Sequence, residues 1–226
     1  MEVIKTYKNR IQEHEWDLSP REASALQSEL AKQVVREMQG GDVATVAGID
    51  VGIHGVISRA AVVVLGYPGL ETVEYATATR PVTFPYIPGL LSFREGPVIL
   101  DALNKLSAAP DLLIFDGQGL AHPRRLGIAS HIGLLVDLPS IGCAKSRLCG
   151  QYEEPGLEGG SHVPLTDKGE TIGSVVRTRS GVRPVFVSVG HMLDLQTSVD
   201  YVLGCCRGYR LPETTRRAHQ MASKTR

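Results

Sequence analysis

Two aspartates have the setting expected of metal-binding acids. Asp50 lies in "AGIDVG" and Asp116 closes "LLIFDGQG", each after an apolar run. That pattern places a carboxylate near the carboxyl end of a buried strand, where an unpaired charge is costly. Taken singly, either residue reads better as a turn-former ahead of a glycine. Two carboxylates brought together on neighbouring strands repel, and a hard divalent cation with oxygen ligands relieves the repulsion. Mg²⁺ suits such a site, because it takes one or two carboxylates and keeps several waters. Glu95, in "YIPGLLSFRE", is the third candidate. Ser92-Phe93-Arg94-Glu95 also fits a capping box, in which the glutamate reaches back to the serine amide. Pro97 has no N–H to give, so the predicted helix starts nearer Gly96 and leaves Glu95 at its mouth. Capping and metal binding both stay open for Glu95, as do wedge and plain turn for Tyr86-Ile87-Pro88-Gly89. A zinc pair of His122 and His131 lacks any cysteine or histidine at ligand spacing to complete it.

The elements that must position these residues are partly legible. "SPREASALQSELAKQVVREM" opens with an N-cap serine, a proline at the first helical position and a capping-box acid. Leu26, Leu30, Val34 and Met38 then recur every four residues, predicting a helix with one buried face. Val43–Ile53, Ser58–Tyr67 and Leu70–Val82 are β-rich runs divided by His54–Gly55 and Pro68–Gly69, which predicts an antiparallel meander. Helices around Gly96–Ser107 and Ile128–Val136 then alternate with strands at Leu112–Asp116 and "PSIGCA". Strands near Gly173–Thr178 and Pro184–Val189 and a helix in "DLQTSVDYVLGCC" follow. Alternation predicts parallel strands with helices on the faces. Gln151–Gly169, rich in Gly, Glu and Pro, is predicted to be a surface loop. Three antiparallel strands followed by alternating helices and strands is the order of an α/β, RNase H-like fold with a mixed central sheet.

Composition sets outer limits. With 226 residues, 42% hydrophobic and 21% charged, the chain is expected to form one domain over residues 1–226, acting as a monomer. No apolar run approaches ~18 residues, and "MEVIKTYKNRIQEHEW" is polar from the start, so neither a membrane span nor a signal peptide is expected. Four cysteines without C-x-x-C spacing imply reduced thiols and a cytoplasmic protein. The formal net charge is zero. "HPRR", "CAKSRLCG" and "RGYRLPETTRRAHQMASKTR" nevertheless concentrate cations into a basic stripe compatible with phosphate contacts. "GIDVG" also matches the opening phosphate loop of actin-like kinases, but the chain carries neither a second copy nor a Walker A motif.

"AGIDVG", "PYIPGLLSFRE", "DGQGLAHPRRLGIASHIGLLVDLPSIGCAKSRLCG", "VSVGH" and "GYRLPETTRRAH" occur in the order in which they stand in endonuclease V. The chain resembles that family of metal-dependent nucleases from about Ile49 to about His219, with the look of its prokaryotic members. The resemblance implies an RNase H-like fold with Asp50, Glu95 and Asp116 around Mg²⁺, for which Mn²⁺ would substitute. His219, in "RRAH", matches a further metal-site position, as a ligand, through a water, or by orienting the nucleophile. "PYIPG" becomes a wedge, in which Tyr86 and Ile87 enter the duplex while Pro85, Pro88 and Gly89 fix the turn. Gly89, Leu91, Gly117, Gly119, Gly127, Ile128 and Leu148 are placed around a flipped hypoxanthine. Its O6 acceptor and N1–H donor reverse the adenine edge, and mismatched polar groups in a closed pocket cost ~1–3 kcal/mol each. Lys145 would contact a phosphate near the cut, and His122 would support the metal site or the strand. The implied reaction is in-line attack of an activated water at the second phosphodiester 3′ of deoxyinosine, leaving 3′-hydroxyl and 5′-phosphate ends. Later repair enzymes would complete the excision. An inosine-specific ribonuclease is the close alternative, and a lesion-binding module without catalysis the distant one.

Overall fold

The computed structural model describes residues 14–39 and 41–224. The polar run at the N-terminus lies outside the described residues as far as residue 13, as do the last two residues of the basic C-terminal run. Among the described residues no helix is long and apolar enough to cross a membrane.

The first helix, α1 (Pro20–Leu30), starts as its sequence dictates: the Ser19 side chain accepts from the Glu22 amide, and Glu22 caps Ser19 in return. It does not run on to Met38. A short 3₁₀ turn at Ala31–Gln33 ends it, and Val34 is extended. Beyond it, the Val35 amide donates to His191 Nδ1 and the Val35 carbonyl accepts from Met192. These tertiary hydrogen bonds override the four-residue periodicity.

β1 (Thr45–His54), β2 (Ile57–Gly66) and β3 (Thr72–Pro81) form the expected antiparallel meander. α2 (Leu91–Leu103), β4 (Leu112–Phe115), α3 (Ile128–Val136) and β5 (Ser140–Ala144) follow. The chain ends with β6 (His162–Asp167), β7 (Glu170–Val176), β8 (Val185–His191), α4 (Leu195–Gly204) and α5 (Glu213–Ala222). All eight strands join one mixed sheet in the order β3-β2-β1-β4-β5-β8-β7-β6.

Among the described residues parallel pairing is confined to β1–β4 and β4–β5. The expectation of parallel strands through the second half is therefore corrected: β5–β8, β8–β7 and β7–β6 are antiparallel. The predicted loop at Gln151–Gly169 contains β6, which a two-residue turn joins to β7. Lys168 and Gly169 in that turn both have positive φ, the geometry that suits a tight hairpin. Pro164 is tolerated in β6 because that strand is the sheet edge.

The sheet separates two cores. Ala47, Ile49 and Phe115 pack with Ile99 and Leu103 of α2 and Ile132 of α3 on one face. Val46, Ile114 and Ile141 pack with Val199 and Val202 of α4 and Ala218 of α5 on the other.

Candidate active site

Asp50 and Asp116 meet because of strand register. Ile49 of β1 pairs with Phe115, the last residue of β4, and the Asp116 amide donates to the Ile49 carbonyl at 3.0 Å. The two acids are therefore the next residues on adjacent parallel strands. β4 ends there, whereas β1 continues to His54, so Asp50 lies within its strand rather than near its end.

α5 completes the cluster. Gly48 and Gly52 flank Asp50 on the same face of β1, and the helix backbone rests directly on them. A Cβ on Gly48 would fall 2.0 Å from the Thr214 carbonyl oxygen, and one on Gly52 would fall 2.7 Å from that of Ala222. "GIDVG" is thus a helix seat. The close approach brings His219 Nδ1 within 2.6 Å of Asp50 Oδ2. Asp50, Asp116 and His219 can each offer one ligand atom, all within 4.8 Å of one another.

Electrostatics marks the cluster as short of positive charge. Burial raises the Asp50 carboxyl above its ordinary value, and the Asp116 charge raises it further. The His219 hydrogen bond and the Lys145 charge pull the other way. Lys145 forms a close ion pair with Asp116. Glu95 stands beside this group, outside the set that a single ion would span at that distance. Burial pushes its carboxyl up to about 8, with Asp50 and Asp116 adding to the shift and Arg94 opposing it.

α2 begins at Leu91, not near Gly96, and carries Pro97 within it. Glu95 consequently sits in the second turn. Capping by Ser92 is excluded too: Leu90 is the N-cap, and Ser92 Oγ bonds His131 Nδ1 at 2.8 Å. His131 is fully buried, shares its other nitrogen with His14 at 2.8 Å, and is depressed to about 3 by burial.

Next to the acids opens a cavity of about 320 Å³, lined by Tyr86, Ile87, Pro88, Gly89, Leu91, Asp116, Gly117, His122, Gly127, Ile128, Lys145 and Leu148. Pockets that enclose small ligands run from about 300 Å³ upward. Of the residues expected around the base, Gly119 alone does not line it. Its Cα faces the Val189 carbonyl, 2.1 Å from where a Cβ would sit, so this glycine packs the floor. Gln27, Ser92, Gln118, Ala144, Ser146 and Arg147 line the cavity in addition.

The Tyr86 turn divides its side chains. Tyr86 is 69% exposed, while Ile87 packs against the cluster of Phe84, Leu90 and Phe93. Beneath it the Gly89 carbonyl accepts from Gln27 Nε2 at 3.0 Å, His122 Nε2 at 2.9 Å and Arg124 Nη2 at 2.8 Å. Gly89 has φ +83°, open to glycine and strained for other residues. His122 accepts the Arg124 amide on Nδ1, which fixes a neutral ring with its proton on Nε2. Burial depresses it to about 4. Both ring nitrogens being engaged here, His122 holds the turn and takes no part in the acid cluster. Gln27 is the residue that sequence reasoning missed, since a lone glutamine on an amphipathic helix carries no signal of its own.

The Endonuclease V family model matches residues 28–220. The endonuclease V of Roseiflexus sp. (strain RS-1) is 54% identical over 211 residues, covering 93% of this chain and 95% of its own. The chain belongs to the endonuclease V family. The crystal structure of the family member from Streptomyces avermitilis is 45% identical with a TM-score of 0.87, over 92% of each chain. Endonuclease V of Ciona intestinalis, solved with a 24mer DNA containing an inosine followed by a ribo-adenosine, is 28% identical with a TM-score of 0.76. That match covers 89% of this chain and 95% of the Ciona chain. The family is one of nucleases, and its RNase H-like fold is the fold found here.

Proposed function

We propose that this endonuclease V nicks DNA at deoxyinosine, using a divalent cation, Mg²⁺ by preference, held by Asp50 and Asp116 with Glu95 and His219 beside them. The observation that supports the reading is the meeting of Asp50, Asp116 and His219 beside a cavity that Asp116 and the exposed Tyr86 turn both line. The donor set fits a hard cation: carboxylate oxygens predominate, and burial with mutual repulsion holds Asp50 and Glu95 above their ordinary values. Such a cation, when bound, supplies an activated water and neutralises charge developing at phosphorus.

The chain's own residues do the rest. Tyr86 fills the stack left by a flipped base, which costs a few kcal/mol to extrude and less when poorly paired, as inosine is. Gly117, Gly127 and Ile128 close on the base. Lys145, which stands beside Asp116, would hold the phosphate that is cut. His219 keeps Asp50 in place through its 2.6 Å hydrogen bond. The Ciona complex, with inosine in its DNA, supports this choice of lesion. By resemblance, the cut falls at the second phosphodiester 3′ of the lesion.

Matched DNA and RNA strands, each with one inosine, test the reading with and without Mg²⁺. Mg²⁺-dependent nicking of the DNA strand is expected. Cutting confined to RNA would instead make the protein an inosine-specific ribonuclease, and binding without cutting in either strand would leave a lesion sensor.

A further inference from the structure

Most cations that the sequence gathers into a basic stripe are tied up within the fold. Arg216 and Arg217 both pair with Glu213. Arg125 pairs with Asp167 and Glu170, and Arg124 bonds Gln27 and Gly89. Arg210 donates to the carbonyls of Arg183, Lys145 and Pro184, and Arg207 to those of Gly204, Cys206 and Pro68. Positive charge lacking a carboxylate partner collects somewhere else.

That place is a recess of about 460 Å³ beyond the C-terminal end of α5, lined by His54, Arg59, Lys105 and Lys224 with Thr77 and Thr79. Among the described residues no carboxylate lines it and none of its four basic side chains belongs to an ion pair. Among the described residues Arg59 Nε has no hydrogen-bond partner and is closed to solvent, so it contributes positive charge beside the recess rather than a donor that an occupant could reach. Three of the residues also serve the fold: Lys105 Nζ donates to the Thr77 carbonyl at 2.8 Å. His54 Nε2 donates to the Ala222 carbonyl and Arg59 Nη1 to that of Lys224, steadying the last turn of α5. Neither Lys105 nor Lys224 contributes its side chain to that cap.

We infer that this recess binds a phosphate oxyanion, and that its occupant is a backbone phosphate of the nucleic acid being cut. This rests on the functional reading above. Position favours it: His54 lies four residues past Asp50 on the same face of β1, or about 13 Å at ~3.4 Å per residue. Measured along the axis of a duplex, where each strand carries one phosphate per ~3.4 Å of rise, that span covers roughly four base-pair steps. A strand seated at the acids would therefore offer another phosphate to the recess. The contact would carry no sequence information and would fix register instead.

The test is equilibrium binding over a range of salt concentrations, without Mg²⁺, using duplexes with and without a single deoxyinosine. The wild type is compared with the double variant Lys105→Ala/Lys224→Ala. Removing one cation from its phosphate lowers the slope of log K against log salt by about 0.9, so a drop of roughly 2 is expected, equal on both duplexes. Thermal melts show that both proteins are folded, and a second variant, Arg216→Ala, should leave the slope within about 0.5 of the wild type because its charge is already paired. An unchanged slope in the double variant overturns the inference. So does a melting temperature raised by inorganic phosphate in the wild type alone with the slope unmoved, which would identify free phosphate as the occupant. If the wild type shows no preference for deoxyinosine, the functional reading fails, while the slope on either duplex still decides the recess.

Discussion

At the Tyr86 turn a single carbonyl, that of Gly89, collects three donors; next to Asp116, which lines the same cavity, Asp50 and Glu95 crowd together with too few positive partners. The turn is held by neutral or permanently charged groups, all of them engaged. The acids lean on Lys145 and His219, whose side chains are 38% and 52% exposed and free to exchange partners. On the proposed function, the binding edge is built in advance, whereas the reactive centre is left in need of a cation. Preorganised recognition beside an electrostatically incomplete centre is what that proposal requires of an enzyme whose chemistry would wait for both metal and substrate.

The two regions also respond to pH with opposite sign. His122 and His131 fold with values of about 4 and about 3, below the ordinary 6.5. The unfolded chain therefore binds more protons in that window, and stability is lost as pH falls from 6.5 toward 4. Glu95 does the reverse. The folded chain keeps its proton up to about 8, so its contribution is complete below 4.5 and is lost as pH rises through 8.

Substitutions can separate the two regions. The largest effect is expected for Asp50→Ala: loss of Mg²⁺-dependent nicking by roughly 10³-fold or more in a gel assay, with lesion binding retained. Retained nicking would remove Asp50 from the metal site. Glu95→Gln comes next. In melts without metal it should stabilise the protein by about 4 kcal/mol at pH 8 and by nothing below pH 4.5. A gain that did not vary with pH would show that the acid is not protonated by its surroundings. Tyr86→Ala should weaken discrimination between deoxyinosine and undamaged duplexes by about 1–3 kcal/mol, with the melting temperature unchanged because the ring is exposed. The smallest effect belongs to His122→Gln, which should loosen Gly89, weaken lesion binding by about 1 kcal/mol and flatten the acid limb of stability between pH 6.5 and 4. Equal losses of binding and cutting rate for Asp50→Ala and His122→Gln would erase the distinction between the regions.

The same contrast governs what the sequence can disclose. Asp50 and Asp116 are legible because each ends or interrupts an apolar run, and strand register alone then joins them. The meander is legible from Gly55 and from Pro68–Gly69. The clamp is not, because Gln27 reaches carbonyls 62 and 99 residues away, Gly89 and Leu126, and nothing local signals them. The start of α2 is hidden because Pro97 reads as a boundary, yet the helix holds it seven positions in. β6 is masked by glycine and proline that an edge strand tolerates. Its antiparallel pairing follows from a two-residue turn, which the alternation of helices and strands does not foretell. Likewise, the chain's basic clusters look like a binding stripe, and only the packed structure discloses which of those charges are already neutralised.

The most direct measurement is a titration of Mn²⁺ into the wild type, Asp50→Asn and Asp116→Asn proteins, followed by the loss of the free-ion electron paramagnetic resonance signal. One tight site in the wild type, weakened at least tenfold by either substitution, is the result expected of acids that share an ion. Equal uptake by all three proteins would contradict a metal centre built on β1 and β4.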